Sequence, residues 1–184
     1  DIISYDPHRG EVLEEGTRDS YESLLQYLEH EDPSSGEFYN DISQMVDISA
    51  VTDFYCAQLF LANTDFPNNN IKYWKTHSDT SRWRIFFFDC DGCMIRANYD
   101  HLSEYNNTSN RFQRYDDWAT FIFRTLLKNA TFRHKFADRF YELLSTHFSA
   151  QNVTELIDDY EKLYTPLIPE HTYRWRQPRD FRKW

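Results

Sequence analysis

The segment ISAVTDFYCAQLFLA, Ile48 to Ala62, is apolar around nearly the whole helical circumference, with Val51, Phe54, Tyr55, Leu59 and Phe60 spread over every side. A helix with no wide polar face has to lie inside a domain, so the rest of the chain must be laid around this one. Asp47 precedes it and supplies an N-cap. The chain then leaves through NTDFPNNN (63–70), a polar loop with one proline and three consecutive asparagines, and re-enters apolar sequence that closes on FFFDCDG (86–92). A polar loop between two buried segments is held from both ends, and that makes it a candidate site rather than filler.

The remaining pattern predicts an α+β fold, mostly helical, built around one hairpin. SYESLLQYLEHE places Tyr21, Leu24, Leu25 and Leu28 on one helical face behind a Ser20 cap, and DPSSG (32–36) ends that helix. NIKYWKT and RWRIFFFD read as two strands, the second continuously apolar and buried towards its end, joined through the turn HSDTS (77–81). A polar loop with SEYNNTSN at its tip runs from Gly92 to about Asp116. Helical periodicity then returns in DWATFIFRTLLKN, in ATFRHKFADRFYELLSTHF and in VTELIDDYEKLYTPLI, before the basic aromatic tail HTYRWRQPRDFRKW. Residues 1–18 are charged, carry Pro7, Gly10 and Gly16, and show no period; they read as a connection entering from an upstream part. At 184 residues the length argues for one domain.

Charge and cysteine content narrow the function. A net charge of −10 argues against nucleic acid as a general partner, because phosphate binding needs a basic field. Aromatic residues make up 18% of the chain, and Trp74, Trp83 and the Phe runs are expected in the core. Cys56, Cys90 and Cys93 are an odd number, so no closed disulfide framework follows. Cys90 and Cys93 have C-x-x-C spacing, but a second ligand pair is missing, and a strand rather than a helix start is expected beside them. No apolar run is long enough to span a membrane, and none of the seven histidines shows H-E-x-x-H spacing. The N-x-S/T sequons at Asn106, Asn107, Asn129 and Asn152 arise easily in an Asn-rich chain.

Asp65 and Asn70 have four residues between them, with Asp89 and Asp91 delivered about twenty residues later at a strand end. Phosphoryl transfer from ATP uses parts in this order: a carboxylate that orients the acceptor hydroxyl, an amide oxygen on a divalent cation, and a further carboxylate bridging metal and phosphates. Protein kinases arrange them as D-x-x-x-x-N after a helix and as an Asp after a hairpin. The bland reading is that Asp and Asn serve only the turn, as is expected of Asn68 and Asn69, and that Asp89 and Asp91 pair with Arg82, Arg84 or the tail arginines.

The segments VDISAVTDFYCAQLFLANTDFPNNNIKYW, RWRIFFFDCDG, FRTLLKNATFRHKFADRFYELL and PEHTYRW together resemble the CotH family of spore-coat-type atypical protein kinases, and more closely its secreted bacterial relatives. The resemblance covers roughly Glu14 to Trp184. It implies a protein-kinase-like C-terminal lobe over 19–184, whose hairpin carries the metal-site loop, with 1–18 as the connection from a missing N-terminal lobe. It implies Asp65 as catalytic aspartate, Asn70 and Asp89 as nucleotide- and metal-binding residues with Asp91 as a further metal ligand, ATP with Mg²⁺ or Mn²⁺ as cofactor, a Ser/Thr protein substrate, and a secreted or cell-surface location. Where the family commonly has Phe-Gly after D-x-D, this chain has Met94 and Ile95, and residues 1–46 hold no Gly-rich loop or Ala-x-Lys strand. Two other functions stay open: a catalytically weak, pseudokinase-like surface binding module, and a D-x-D nucleotide-sugar transferase.

Overall fold

The computed structural model describes residues 1–6, 9–67, 69–78, 80–96, 98, 100–106 and 116–177; for 104–106 and 116–119 it describes the backbone only. Two compact units are present, 1–140 and 141–184, where length argued for one. The boundary falls inside one continuous helix, α6 (Ala130–Ser145).

The first unit is built on a four-stranded antiparallel sheet of order β2-β1-β3-β4, formed by β1 (Ile2–Asp6), β2 (Gly10–Glu15), β3 (Lys72–Trp74) and β4 (Arg84–Ile85). The hairpin expected of β3 and β4 is there, Tyr73 opposite Ile85 and Trp74 opposite Arg84. Period-two alternation sorts its faces. Ile3, Tyr73 and Ile85 lie in register across three strands and are all buried, whereas Arg84 lays its guanidinium over the Trp74 ring at 5.3 Å on the other face. Of the turn between these strands, Ser78 and Ser81 donate to the Thr76 and Ser78 carbonyls, while Asp79 lies outside the described residues.

Residues 1–18 are not an irregular connection. They carry β1 and β2, and β1 is an interior strand paired on both sides. IISYD is too short to establish a period, and Gly10, at φ +78°, turns the chain into β2. The segment RWRIFFFD was expected to be a long buried strand. Only Arg84–Ile85 join the ladder, Trp83 makes a separate bridge to Val46, and Phe86, Phe87 and Phe88 are 37%, 46% and 39% exposed. Their apolar character therefore reports a surface rather than a core strand.

Helix α1 (Asp19–His30) buries Tyr21, Leu24 and Leu28, but its N-cap position is Arg18 and not Ser20. Helix α2 (Phe38–Met45) follows the DPSSG turn, which the sequence pattern did not reveal as a helix start. Helix α3 (Ile48–Leu61) is the central one, capped by Asp47, whose side chain accepts from the Ala50 amide. Tyr55 stacks on Phe123 of α5 (Asp116–Leu126) at 3.8 Å, and Phe54 meets Phe66 edge-on at 5.2 Å. Tyr21 packs edge-on against Trp83 at 5.1 Å, so Trp83 is core as expected, while Trp74 is half-buried. The polar loop after Gly92 contains a short helix, α4 (His101–Asn106); the rest of the expected loop tip, 107–110, lies outside the described residues. Asn129 caps α6 through the Phe132 amide and donates to the Pro33 carbonyl, so this sequon asparagine is buried and engaged.

Within the second unit, the end of α6 is followed by α7 (Ala150–Tyr164), capped by Ser149, then a 3-10 turn (Thr165–Leu167) and α8 (Ile168–Trp175). The expected basic tail is described only as far as Gln177.

Candidate functional site

Helix α3 ends at Ala62, which takes a left-handed conformation (φ 49°, ψ 50°) and turns the chain sharply away from the helix axis. Asn63, fully buried, then fixes the next turn: its side-chain oxygen accepts from the Asp65 amide at 3.1 Å, the local bond by which Asx residues shape turns. The Asn69 amide donates to the Asp65 carbonyl at 2.9 Å, and the Phe66–Pro67 peptide between them is cis. Asn68 lies outside the described residues. Asp65 is left with an exposed side chain, whereas Asn70 is buried at φ 62°, a conformation asparagine tolerates better than most residues. From Asn70 the chain passes directly into β3.

The second half of the site arrives from β4. Beyond the exposed Phe run, Asp89 also adopts a left-handed backbone (φ 55°), and the chain turns tightly, Cys93 N–H donating to the Cys90 carbonyl at 3.1 Å. Asp89 and Asp91 are exposed. They do not sit in apolar surroundings as expected, because the run before them is itself at the surface.

The two halves are tied together at both ends. Thr64 donates to the Gly92 carbonyl through its amide and through its hydroxyl, each at 3.0 Å, and the Met94 amide donates to the Leu61 carbonyl at 2.6 Å. At the other end the Asn70 side-chain nitrogen donates to the Asp89 carbonyl at 3.4 Å. A methyl group at Gly92 would meet Asn63 Oδ1, Asp65 Cγ and Thr64 Oγ1, each at 3.2 Å. The glycine thus lies tightly against the Asn63, Thr64 and Asp65 side chains. Burial, the neighbouring Cys90 thiol and the negative charges of Asp91 and Asp65 together push the Cys93 thiol up to about 12. His101, buried at the start of α4, has its pKa lowered by burial, against the opposing pull of the Ala62 carbonyl.

The two segments that carry the residues singled out in the sequence therefore meet at one crossing, with Asp65 beside Gly92 and the Asn70 side chain on the Asp89 carbonyl, while Asp91 stands in the turn between Asp89 and Gly92. The arginines offered as alternative partners are engaged elsewhere. Arg84 pairs with Asp47 at 2.8 Å and Arg82 donates to the Ser43 carbonyl at 3.3 Å, while the arginines of 178–184 lie outside the described residues. Sequence reasoning missed Asn63, Thr64 and Gly92, which hold the crossing closed. The Asn-x-Asp spacing was a usable signal for Asn63; nothing local marks Thr64 or Gly92.

The donor set is oxygen-rich, an amide and carboxylates, which is what a hard cation such as Mg²⁺ or Mn²⁺ takes. Among the described residues no three His, Cys, Asp or Glu side chains converge into a metal-binding group by themselves.

The family model described as CotH kinase protein matches residues 3–184. The chain belongs to the CotH kinase family. Its general function is accordingly kinase-like, and the match begins inside β1, so the N-terminal hairpin is part of the family region. No curated protein and no solved structure matches the chain. Among the described residues no helix is long and apolar enough to cross a membrane.

Proposed function

We propose that this CotH-family chain is the metal-binding, acceptor-side lobe of a protein kinase that transfers the γ-phosphoryl group of ATP to a Ser or Thr hydroxyl of a secreted, coat or surface protein, with a nucleotide-covering lobe supplied elsewhere in the same parent polypeptide. The observation that carries this is the double tie between the Asp65–Asn70 loop and the Asp89–Gly92 turn. It holds the loop carrying Asp65 and Asn70 against the turn carrying Asp89 and Asp91, and these residues follow one another in the order phosphoryl transfer uses. Asp65, outside the core and fixed at its backbone, orients the acceptor hydroxyl and receives its proton. Asn70 and Asp89, with Asp91, would hold the divalent cation, which when bound supplies charge neutralisation between the phosphates. The rest is positioning: the α3 C-terminus and the Thr64–Gly92 bonds keep these groups in place before substrate arrives.

In the full polypeptide with ATP and Mn²⁺, Asp65→Ala should lower phosphorylation on the order of 10²–10⁴-fold, the usual contribution of a positioned base, while circular dichroism stays unchanged because the side chain is exposed. Undiminished phosphorylation would remove Asp65 from this role. The exposed Phe86, Phe87, Phe88, Met94 and Ile95 beside the crossing favour a second reading, a surface binding module with little catalysis. Calorimetry with ATP and Mn²⁺ separates the two, since metal-dependent nucleotide binding is expected only of the kinase.

A further inference from the structure

The C-x-x-C pair is the chemical feature of the crossing that phosphoryl transfer leaves unused. In the sequence its spacing pointed nowhere, because neither a second ligand pair nor a helix start accompanies it. The fold supplies a different context. Strand β4 ends at Ile85, and Cys90 to Cys93 form a tight turn closed by the Cys93 N–H bond to the Cys90 carbonyl at 3.1 Å. Such a turn brings its first and fourth Cα atoms to within about 7 Å, and a disulfide spans Cα atoms about 4.4–6.8 Å apart. Both thiols are unbridged and half-buried, within reach of a small reagent, whereas Cys56, on α3, is fully buried. The turn also has a fixed base, because the Gly92 carbonyl is held by Thr64. A bond between the sulfurs would leave that base undisturbed.

We propose that Cys90 and Cys93 are a reversible dithiol–disulfide couple whose ring closes across Asp91. The oxidant is a small or protein disulfide. Cys90, as thiolate, attacks it, forming a mixed disulfide and releasing one thiol. The second cysteine then attacks its neighbour's sulfur in that mixed disulfide and releases the second thiol. Two cysteine thiols and one external disulfide become one internal disulfide and two external thiols, and excess thiol reverses both steps. The closed ring locks the backbone of Asp91 and Gly92, and so ties redox state to the rigidity of the turn that packs on Asp65. This couple stands independently of the phosphotransfer reading.

The full chain is equilibrated over a series of reduced-to-oxidised glutathione ratios, trapped with N-ethylmaleimide and digested for mass spectrometry. Under oxidising ratios the peptide carrying both cysteines should lose two hydrogens and take up no label, and dithiothreitol should restore two labels. Cys90→Ser and Cys93→Ser should instead accumulate the glutathione adduct on the remaining thiol. Two labelled cysteines at every ratio, or glutathione adducts on the wild type at the level of the single variants, would overturn the couple. Amide exchange over 89–94 should slow about fivefold or more on oxidation; equal rates in the two states would overturn the claim that the ring locks the Asp91 turn.

Discussion

Helices α3 and α7 are nearly equal in length, 14 and 15 residues, yet α3 buries seven side chains and α7 none. Both carry large apolar residues: Leu156, Ile157 and Leu163 of α7 are 57%, 56% and 61% exposed. The difference lies in what surrounds each helix and in how its polar residues are spaced. α3 has almost no polar face, and aromatic rings from α5, from the loop after it and from the Phe run close on it, with Phe54 touching Phe66 and Phe87 and Tyr55 lying flat on Phe123. α7 alternates its apolar residues with Glu155, Asp158, Asp159, Glu161 and Lys162, which keep it amphipathic. Apolar content gives a helix the capacity to be buried, and neighbours decide whether it is. The functional consequence falls on α3, because only a helix fixed on all sides can aim the loop at its C-terminus with the accuracy a site needs.

The sharpest way to break this contrast is a pair of truncations. Phe54→Ala should cost about 3–5 kcal/mol, as large-to-small changes in a packed aromatic core do, and Leu163→Ala should stay within roughly 0.5 kcal/mol, as for an exposed position. Urea denaturation reads both, and equal losses would mean that α7 is as closely packed as α3. Next comes the crossing itself. Gly92→Ala places a methyl against Asn63, Thr64 and Asp65 and should cost about 1–3 kcal/mol by overpacking, with a loss of phosphorylation in the full polypeptide. Gly36→Ala, where nothing lies within 4 Å, is the matched control.

A smaller effect is expected at the other end of α3. Burial opposes ionisation of Asp47, but the Ala50 amide and Arg84 outweigh it and hold the carboxyl below its usual range. Asp47→Ala should therefore cost about 1–2 kcal/mol at neutral pH through the lost cap. The sign of the pH dependence follows from the lowered folded-state pKa. The contribution is complete above the unfolded value of about 4 and disappears as pH falls through the lower folded value, so wild type and variant should converge in acid. The smallest change should stabilise: Ala62→Gly at φ 49° removes a left-handed β-carbon penalty and should gain about 1 kcal/mol. A shift in thermal midpoint with unchanged phosphorylation would show that the α3 exit tolerates relief of that strain.

Much of this was legible in the chain. The central helix was readable to within one residue, together with its Asp47 cap, because its apolar character has no polar interruption and the cap is a local bond. The β3–β4 hairpin was legible from two strand-like runs about a turn, and the pairing of the 65–70 loop with the 89–92 turn from the order of their Asp and Asn residues. What failed has a common cause. IISYD is too short for periodicity, so β1 was invisible until its register with β3 gave it partners. FFF reads as core by composition, but only the end of the ladder at Ile85 and the exposure of all three rings show that it lies at the surface. Cys90 and Cys93 carried a spacing without a meaning until the fold closed them into one tight turn.

The sequence by itself determined the family, the mostly helical α+β class, the buried central helix and which residue types stand at the loop and the strand end. These are properties of local pattern, set by periodicity and by side-chain chemistry within a few residues. Only the tertiary structure decided that Thr64 holds Gly92, that Asn70 reaches Asp89 and that an interior strand comes from the first six residues. Each of those contacts joins residues about twenty to seventy apart, and no local propensity can encode a partner that the chain meets only after it has folded.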